Sequence, residues 1–524
     1  MIDLTVAQIA DIVGGTLADI SPQDAAQRRV TGTVEFDSRA IGPGGLFLAL
    51  PGAHVDGHDY AASAAAAGAV AVLAARPVGV PAIVVTPERS LAEGALAGVL
   101  EHDADGSGAA VLAALAKLAK AVAAELVAGG LTIIGITGSS GKTSTKDLVA
   151  AVLQPLGVVV APPGSFNNEL GHPWTVLRAG RDTDYLILEM SARHPGNIAA
   201  LAQIATPAIG VVLNVGTAHL GEFGSREAIA RTKSELPQAV PQSGVVILNA
   251  DDPAVAAMAE VTAARVVRVS RGSTGDVWAG PVSLDELARP QFTVHAGATQ
   301  AEVRLGVYGD HQVSNALCAA AVALECGATL DQVATALGGA GPVSRHRMQV
   351  TTRADGVTVI DDAYNANPDS MGAGLQALAW IARGGSGAGS DLAAKRRSWA
   401  VLGEMAELGA DAIAEHDRVG RLAVRLDVSR LVVVGTGRSV SAMHHGAVLE
   451  WAWGSWGAGA DRGTVNVADA DAALELLRAE VQPGDVILIK ASNSAGLGAL
   501  ADALVSDGAD GEAGGAGNRG SANP

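Results

Sequence analysis

Short continuous runs of apolar residues recur along the chain, separated by stretches with the period of amphipathic helices. One group of runs lies at 131–136, 185–188, 208–213 and 245–248, and a second group lies at 357–360, 399–402, 431–434 and 486–489. Apolar runs without polar alternation are typical of strands that are buried on both faces of a parallel sheet. Because helical patterns alternate with these runs, the sequence predicts two successive α/β domains.

Breaks in composition divide the chain further. A polar stretch near 102–108 and a glycine-containing stretch at 338–342 separate a smaller N-terminal region from the two α/β domains. We therefore expect domains at 1–105, 106–340 and 341–505. A Gly-, Ala- and Asp-rich segment at 506–524 is predicted to be a disordered tail, and 384–390 is predicted to be a flexible insertion.

Composition restricts the class of protein. A chain of 524 residues is too long for one hydrophobic core, and its formal charge of -18 disfavours a nucleic-acid partner. The N-terminus lacks the basic and apolar regions of a secretion signal, and the Ala-rich stretch 61–75 predicts a buried helix and strand rather than a membrane span. Cys318 and Cys326 share one predicted helix and indicate neither a disulfide framework nor a zinc site. We expect a soluble, cytoplasmic protein that does not insert into membranes.

A glycine-rich loop at 135–143 carries the strongest chemical signal. It reads Gly-Ile-Thr-Gly-Ser-Ser-Gly-Lys-Thr and lies between an apolar run and a helical pattern at 144–153. Glycines let a backbone turn tightly and aim N–H groups at phosphate oxygens, while the lysine reaches the terminal phosphates and the threonine binds Mg²⁺. Ile136 replaces the first glycine of the longer Walker pattern. The alternative, a glycine-rich turn with a stray lysine, is disfavoured by the flanking strand and helix. The loop predicts ATP binding by Gly138, Ser139, Ser140, Gly141, Lys142 and Thr143.

Three further residues follow predicted strands or lie on a helix near this loop. Glu189 ends the strand at 185–188 and is placed to hold Mg²⁺, although an ordinary carboxylate at a loop edge also fits. His219 lies at the same sheet edge, where a loop histidine is more often structural than functional. Lys233 lies on the predicted helix at 225–235, and its spacing alone indicates a surface lysine.

The second α/β domain contributes a polar segment directly after the strand at 357–360. Polar side chains at the carboxyl end of a strand mark a ligand crevice in α/β sheets. A hydrogen-bonded turn explains one or two such residues, but this segment has five polar residues in seven positions. Lys490 ends the strand at 486–489 and is predicted to face the same edge. The candidates for this crevice are Asp362, Tyr364, Asn365, Asn367 and Lys490.

The order of short motifs along the chain is similar to that of the Mur ligases of peptidoglycan synthesis. The motifs are Asp37-Ser38-Arg39, Asp56-Gly-His-Asp-Tyr60, the phosphate loop, Asn167-Asn168-Glu169-Leu-Gly171, Leu188-Glu189-Met190, Ala218-His219-Leu220, His311-Gln-Val-Ser-Asn315, Ser344-Arg345-His-Arg347, Asp362-Ala-Tyr-Asn-Ala-Asn-Pro, Gly403-Glu-Met-Ala-Glu-Leu-Gly409 and Lys490-Ala-Ser492-Asn493. The resemblance covers residues 37–500. Within the family, residues 364–368 and 404–409 resemble the member that adds D-alanyl-D-alanine.

The resemblance implies an N-terminal α/β domain for the UDP-sugar, a central P-loop ATPase domain and a C-terminal Rossmann-like α/β domain. It implies an ADP-forming amide ligase that joins D-alanyl-D-alanine to UDP-N-acetylmuramoyl-tripeptide. ATP phosphorylates the peptide carboxylate, the dipeptide amine attacks the acyl-phosphate, and phosphate leaves. We expect a monomer in which the C-terminal domain closes on the central one.

The resemblance also implies roles for single residues. Thr143 and Glu189 hold one Mg²⁺, and His219 helps to hold another together with a carbamate formed on Lys233. Nucleotide contacts are implied for Asn315, Arg345 and Asp362. Substrate contacts are implied for Ser38, Arg39, Asn167, Asn168, Tyr364, Asn365, Asn367 and Lys490.

Some positions depart from the family pattern, and two other functions stay open. Asn493 and Ala491 replace the usual Arg and Gly, and Asn197 replaces a common acidic residue, so the details of acceptor binding are in doubt. A ligase of the diaminopimelate-adding or folylpolyglutamate type would carry many of the same motifs. A non-enzymatic P-loop scaffold is disfavoured by Glu189, His219 and Asp362 at predicted strand ends.

Overall fold

The structure is a computed structural model that describes residues 1–52, 54–87, 103, 105–216, 220–273, 275–385, 396–453 and 462–507. These residues form three α/β domains, each with its own sheet. Within these ranges, no helix combines the length and the apolar character that crossing a membrane requires.

The N-terminal domain contains a five-stranded sheet in the order β2-β7-β6-β5-β4 and a two-stranded pair, β1-β3. β2 is antiparallel to β7, and the other strands of the larger sheet are parallel. Its strands are Leu4–Thr5 (β1), Thr16–Ala18 (β2), Arg29–Val30 (β3), Val34–Glu35 (β4), Gly45–Leu48 (β5), Ala69–Ala74 (β6) and Ala82–Val84 (β7), and its helices are Val6–Val13 (α1), Pro22–Gln27 (α2) and Ala61–Ala67 (α3).

The central domain is built on a ten-stranded sheet whose main path is β15-β16-β14-β13-β12-β11-β8-β10-β9, with β17 on β16. Its strands are Thr132–Thr137 (β8), Val159–Val160 (β9), Tyr185–Glu189 (β10), Ile209–Val212 (β11), Val245–Asn249 (β12), Arg265–Ser270 (β13), Val277–Ala279 (β14), Ser283–Leu284 (β15), Pro290–Ala296 (β16) and Thr299–Arg304 (β17). Its helices are Ser107–Ala128 (α4), Lys142–Leu153 (α5), Gly171–Val176 (α6), Asn197–Ile204 (α7), Leu220–Phe223 (α8), Arg226–Lys233 (α9), Glu235–Ala239 (α10), Pro253–Ala256 (α11), Gln312–Glu325 (α12) and Leu330–Gly339 (α13).

The C-terminal domain has a six-stranded sheet in the order β18-β19-β23-β20-β21-β22, which is parallel except for β18. Its strands are Gln349–Thr352 (β18), Thr358–Asp361 (β19), Ser398–Leu402 (β20), Arg430–Val434 (β21), Gly463–Val467 (β22) and Val486–Lys490 (β23). Its helices are Pro368–Ala382 (α14), Ala412–Arg425 (α15), Arg438–Trp453 (α16), Ala470–Glu480 (α17) and Leu497–Ser506 (α18).

The predicted strands all form, with ends that shift by at most one residue. β8, β10, β11 and β12 are central and parallel, and their apolar side chains are buried on both sides, which is the reason that their sequences lack alternation. The stretch 61–75 forms α3 and β6, as predicted. Cys318 and Cys326 are both free, and α12 ends one residue before Cys326. α18 continues through Ser506, which belongs to the predicted tail; residues 508–524 of that tail and 386–390 of the insertion lie outside the described residues.

Candidate active site

The glycine-rich loop connects β8 to α5 at the carboxyl edge of the central sheet. Gly141 precedes the helix with a φ of 80°, in the left-handed region, and a Cβ at this position would lie 2.7 Å from Asn315 Oδ1. Both the dihedral angle and the space therefore require glycine. Asn315 on α12 packs against the loop and donates a hydrogen bond to Gln312 Oε1 over 2.8 Å.

Asn214, which follows β11, holds the loop from the neighbouring strand. Its Oδ1 accepts hydrogen bonds of 3.0 Å from both Ser139 N and Ser140 N. Lys142 Nζ donates to Gly138 O over 2.7 Å, so the lysine folds back over its own loop and has a structural partner there. Burial is the main factor that lowers the pKa of Lys142. Asn214 follows the carboxyl end of a central strand, and this position would have identified it from the sequence.

Glu189 lies at the end of β10 and is fully buried. Its Oε2 accepts hydrogen bonds from Thr143 Oγ1 over 3.3 Å, from Ser165 Oγ over 3.1 Å and from Asn167 Nδ2 over 3.4 Å. Its Oε1 has no hydrogen-bond partner within the described part of the chain. A buried carboxylate oxygen without a partner is unfavourable unless a cation or a ligand satisfies it.

Lys233 is the last residue of α9 and only 6% of its surface is exposed, so the interpretation as a surface lysine is wrong. Burial and the charge of Lys142 hold the pKa of Lys233 well below its usual value. An amine in this environment favours the neutral form. The helical spacing could not reveal this burial, because it depends on the elements that pack over α9. His219 lies outside the described residues.

The C-terminal domain supplies the opposite wall through the ends of β19 and β23. Lys490 Nζ binds Asp362 Oδ2 over 2.5 Å and Asn365 O over 2.9 Å, and only 2% of its surface is exposed. The other carboxylate oxygen of Asp362 accepts a hydrogen bond from Met348 N. Asn367 caps α14 by accepting from Ser370 N, as the turn interpretation expected. The Lys490 ammonium therefore holds the segment after β19 in place.

Arg345 does not approach this cleft, contrary to the expectation from the motif. Its side chain is 72% exposed and pairs with Asp502 over 2.8 Å on another face of the C-terminal domain. Arg347, two residues later, lies in the cleft instead. Its Nη2 donates to Thr143 Oγ1 over 3.3 Å, and its guanidinium stacks 4.1 Å from the ring centroid of Tyr364. The backbone turns at residues 345–346, and His346 between the two arginines has a φ of 57°, so Arg345 and Arg347 lie on different sides of the segment.

The predicted substrate residues of the N-terminal domain, Ser38 and Arg39, are not among the described residues that line the cleft. Arg39 is largely exposed and pairs with Asp37 over 2.7 Å, and Ser38 lies between them. The neighbouring Phe36 ring contacts Trp174, which in turn packs against Phe166, the residue before Asn167. These aromatic contacts connect the segment that carries Ser38 to the loop that holds Glu189.

The cleft between the central and C-terminal domains has a volume of ≈ 870 Å³. The structure brings most predicted residues together there. Its lining includes Ser139, Ser140, Gly141, Lys142, Thr143, Asn167, Asn168, Asn315, Asp362, Tyr364, Asn365, Asn367 and Lys490. Glu189 lies directly behind this surface, bonded to Thr143. Sequence reasoning missed the lining residues Arg193, Asn214, His311, Arg347 and Glu407.

The donor set beside Thr143 fits Mg²⁺, which prefers oxygen ligands. The hydroxyl of Thr143 contacts the Glu189 carboxylate at Oε2, where Ser165 and Asn167 also donate, and Oε1 is left without a partner among the described residues. Lys142 and Arg347 add positive charge on the same side. The arrangement can bind a polyphosphate together with a divalent cation and neutralise charge during phosphoryl transfer.

Comparison with protein families identifies three consecutive matches. They are the Mur ligase family, catalytic domain, at residues 32–120; the Mur ligase middle domain at 136–323; and the Mur ligase, glutamate ligase domain, at 346–493. The chain is 82% identical over 97% of its length to a UDP-N-acetylmuramoyl-tripeptide--D-alanyl-D-alanine ligase from Mycobacterium tuberculosis, of which the match covers 98%.

Comparison with solved structures also finds similarity to ligases of this type. A crystal structure of MurF from Acinetobacter baumannii matches with a TM-score of 0.77 and 28% identity, covering 96% of this chain and 99% of that chain. A MurF ligase from Thermotoga maritima in complex with ADP matches with a TM-score of 0.69 and 25% identity, covering 92% of this chain and 99% of that chain. With family matches in all three domains and such a relative over nearly its full length, the chain belongs to the Mur ligase family.

Proposed function

We propose that this chain is an ATP-dependent, ADP-forming ligase that adds D-alanyl-D-alanine to the peptide carboxylate of UDP-N-acetylmuramoyl-tripeptide. The observation that carries the proposal is its 82% identity to the Mycobacterium tuberculosis enzyme of that name over nearly the whole chain. The ADP complex of the Thermotoga maritima relative supports ATP as the phosphoryl donor. Such a reaction belongs to cytoplasmic synthesis of peptidoglycan precursors.

The chemistry proceeds by activation of a poor acyl donor. A carboxylate would have to expel oxide, so ATP first phosphorylates it and gives an acyl-phosphate with a good leaving group. The amine of the dipeptide then attacks, a tetrahedral intermediate forms and phosphate departs. Lys142 neutralises the transferring phosphoryl group, and Arg347, which already contacts Thr143, brings positive charge from the C-terminal side.

Thr143 and Glu189 would hold Mg²⁺, which neutralises charge on the phosphate oxygens when it is bound. The free oxygen of Glu189 supports this assignment. Ser165 and Asn167 keep the carboxylate oriented towards Thr143. His219 and a carbamate on Lys233 would hold a second ion. The lowered pKa of Lys233 supports the carbamate, because CO₂ reacts only with the neutral amine.

Each of the three domains, with boundaries near residues 105 and 340, binds a different part of the substrates. Ser38 and Arg39 lie at the UDP-sugar end, and Asn167 and Asn168 approach the substrate from the central domain. Asn315 and Asp362 approach ATP from opposite walls of the cleft, and Tyr364, Asn365, Asn367 and Lys490 form or support the acceptor side. The active form is a monomer.

The decisive experiment measures phosphate release with ATP and UDP-N-acetylmuramoyl-tripeptide while the amine acceptor is varied. D-Alanyl-D-alanine should support turnover, and mass spectrometry should show a product heavier by the added dipeptide. Efficient use of diaminopimelate in place of the dipeptide would assign the chain to another branch of the family. Phosphate release that is independent of every acceptor would contradict ligase activity.

Variants of Lys233 test the carbamate separately. Lys233→Ala should be nearly inactive and should recover in part with a short-chain carboxylic acid, which can supply the missing oxygens. Lys233→Arg should remain inactive, because a guanidinium keeps its charge and cannot form a carbamate. Wild-type turnover by Lys233→Arg would refute the proposed modification.

A further inference from the structure

Lys146 lies one turn after Lys142 on α5, yet it is outside the described set of residues that line the cleft. Only 2% of its surface is exposed. Its Nζ pairs with Asp147 Oδ1 over 2.7 Å and donates to Pro162 O over 2.8 Å. Longer contacts of 3.3 and 3.4 Å reach Gly164 O and Ser344 Oγ. A charged group that is so deeply buried needs several partners to offset its lost hydration.

The partners of Lys146 belong to three segments that each carry part of the site. α5 itself begins with Lys142 and Thr143. The segment with Pro162 and Gly164 leads directly to Ser165, whose hydroxyl holds the Glu189 carboxylate. One ammonium therefore connects the phosphate loop to the loop that orients the metal-binding carboxylate.

Ser344 belongs to the third of these segments, which connects the central domain to the C-terminal domain. Its N–H donates to Asp147 Oδ2 over 3.3 Å, while the other oxygen of this carboxylate binds Lys146. Three residues further along, Arg347 reaches Thr143 across the cleft. The Lys146–Asp147 pair thus holds the connecting segment at a fixed distance from the phosphate loop.

We propose that Lys146 is a positioning residue for the phosphoryl-transfer step, which fixes the Glu189 loop and the interdomain segment relative to the phosphate loop. It does not contact ATP in this role. Its loss should leave nucleotide binding largely unchanged, because Lys142 and the loop amides remain. It should slow the chemical step, because Glu189 and Arg347 lose a common anchor. This inference rests on the ligase activity proposed above.

The test compares Lys146→Met with the double variant Lys146→Met/Asp147→Asn and with Lys120→Met, an exposed lysine on α4, as the control. Lys146→Met should lower kcat by ~10- to 100-fold while KM for ATP and the affinity for ADP change by less than about 3-fold. The double variant leaves no unpaired carboxylate, so it should melt at a higher temperature than Lys146→Met and still have a low kcat. If Lys146→Met does not fold, the kcat of the double variant is the quantity that tests the proposal.

Three results would overturn the proposal. The first is a kcat within about 2-fold of Lys120→Met in either Lys146 variant. The second is a loss of ADP affinity as large as the loss of kcat, which would indicate general damage to α5. The third is recovery of kcat together with stability in the double variant, which would indicate a purely structural pair. Absence of ligation in both the wild type and Lys120→Met would instead refute the proposed function.

Discussion

The two interdomain junctions are built in different ways. One continuous hydrophobic cluster runs from the N-terminal domain into the central domain, with α4 packed between α1 and α6. Among the described residues, the central and C-terminal domains instead share a smaller apolar contact, in which Ala288 packs into the C-terminal core, and polar groups cross the cleft, namely the Arg347–Thr143 hydrogen bond and the Arg193–Glu407 ion pair. A continuous core resists separation, whereas polar contacts can exchange with water. The difference indicates that closure takes place at the second junction.

Backbone conformation supports this distinction. His346 and Met348 lie in the connection to the C-terminal domain with φ values of 57° and 49°. Left-handed conformations are unfavourable for such side chains and are kept only where the surrounding structure imposes them. Here the imposing contacts are His346 Nδ1 with Asp361 and Met348 N with Asp362. The expected closure of the C-terminal domain on the central one stays a prediction, and these residues place its hinge before β18.

The largest expected effect on stability belongs to the first junction. Trp174 on α6 donates to Val34 O over 2.7 Å, and its ring packs against Phe36, Phe166 and the guanidinium of Arg178. Truncation of a buried tryptophan removes both packing and a hydrogen bond, so Trp174→Ala should lower the free energy of unfolding by roughly 3–5 kcal/mol. Denaturant titration measures this difference.

Two matched variants sharpen the result for Trp174. Trp380 spans the second junction, where its Nε1 donates to Asp285 O over 2.8 Å, but its ring is only partly buried. Trp380→Ala should therefore cost less stability than Trp174→Ala. Trp453, which is 80% exposed, should tolerate alanine within about 0.5 kcal/mol. Equal losses at Trp174 and Trp380 would remove the contrast between the junctions.

The second prediction concerns a variant that should lose catalytic activity and keep its stability. Lys142→Ala should reduce ligation by ~10²-fold or more, because a charge contact to the transferring phosphoryl group is lost. Its effect on the unfolding transition should be small, since the side chain makes one hydrogen bond to its own loop. Steady-state kinetics and thermal denaturation measure the two quantities. Near-normal turnover would contradict the assignment of the phosphate loop.

These cases show what the sequence could and could not predict. Apolar runs identified the strands, and strand ends identified Glu189 and Asp362, because parallel strands all end at one sheet edge. Burial of Lys233 and the choice between Arg345 and Arg347 were beyond the sequence, since both depend on packing between distant segments. The apolar character of the first junction was equally hidden, because its residues look like the core of a single domain.

The third prediction uses a steric clash to test whether the C-terminal domain closes on the central domain. Gly221 on α8 meets Gly409 of the C-terminal domain so closely that a Cβ on Gly221 would lie 2.6 Å from Gly409 Cα. Gly221→Ala should therefore keep the C-terminal domain from seating and lower kcat by roughly 10-fold or more. Small-angle scattering should show less compaction than in the wild type when an ATP analogue and the UDP-substrate are both bound.

The matched control is Gly339→Ala, where a new Cβ meets no atom within 4 Å and the φ is not left-handed. This variant should behave like the wild type in both measurements. Full activity and full compaction of Gly221→Ala would show that the contact is too soft to limit closure.

The smallest effect belongs to the Arg193–Glu407 ion pair, which crosses the cleft over 3.0 Å. The side chains are 42% and 34% exposed, so solvent screens most of their attraction. A double-mutant cycle with Arg193→Ala and Glu407→Ala should give a coupling of about 1 kcal/mol or less in the stability of the closed form, and it should fall as salt is added. The coupling is measured from substrate-induced compaction at low and high ionic strength. A salt-independent coupling of several kcal/mol would mean that closure removes water from the pair. The polar contacts across the second junction would then be strong, contrary to the contrast drawn with the first junction.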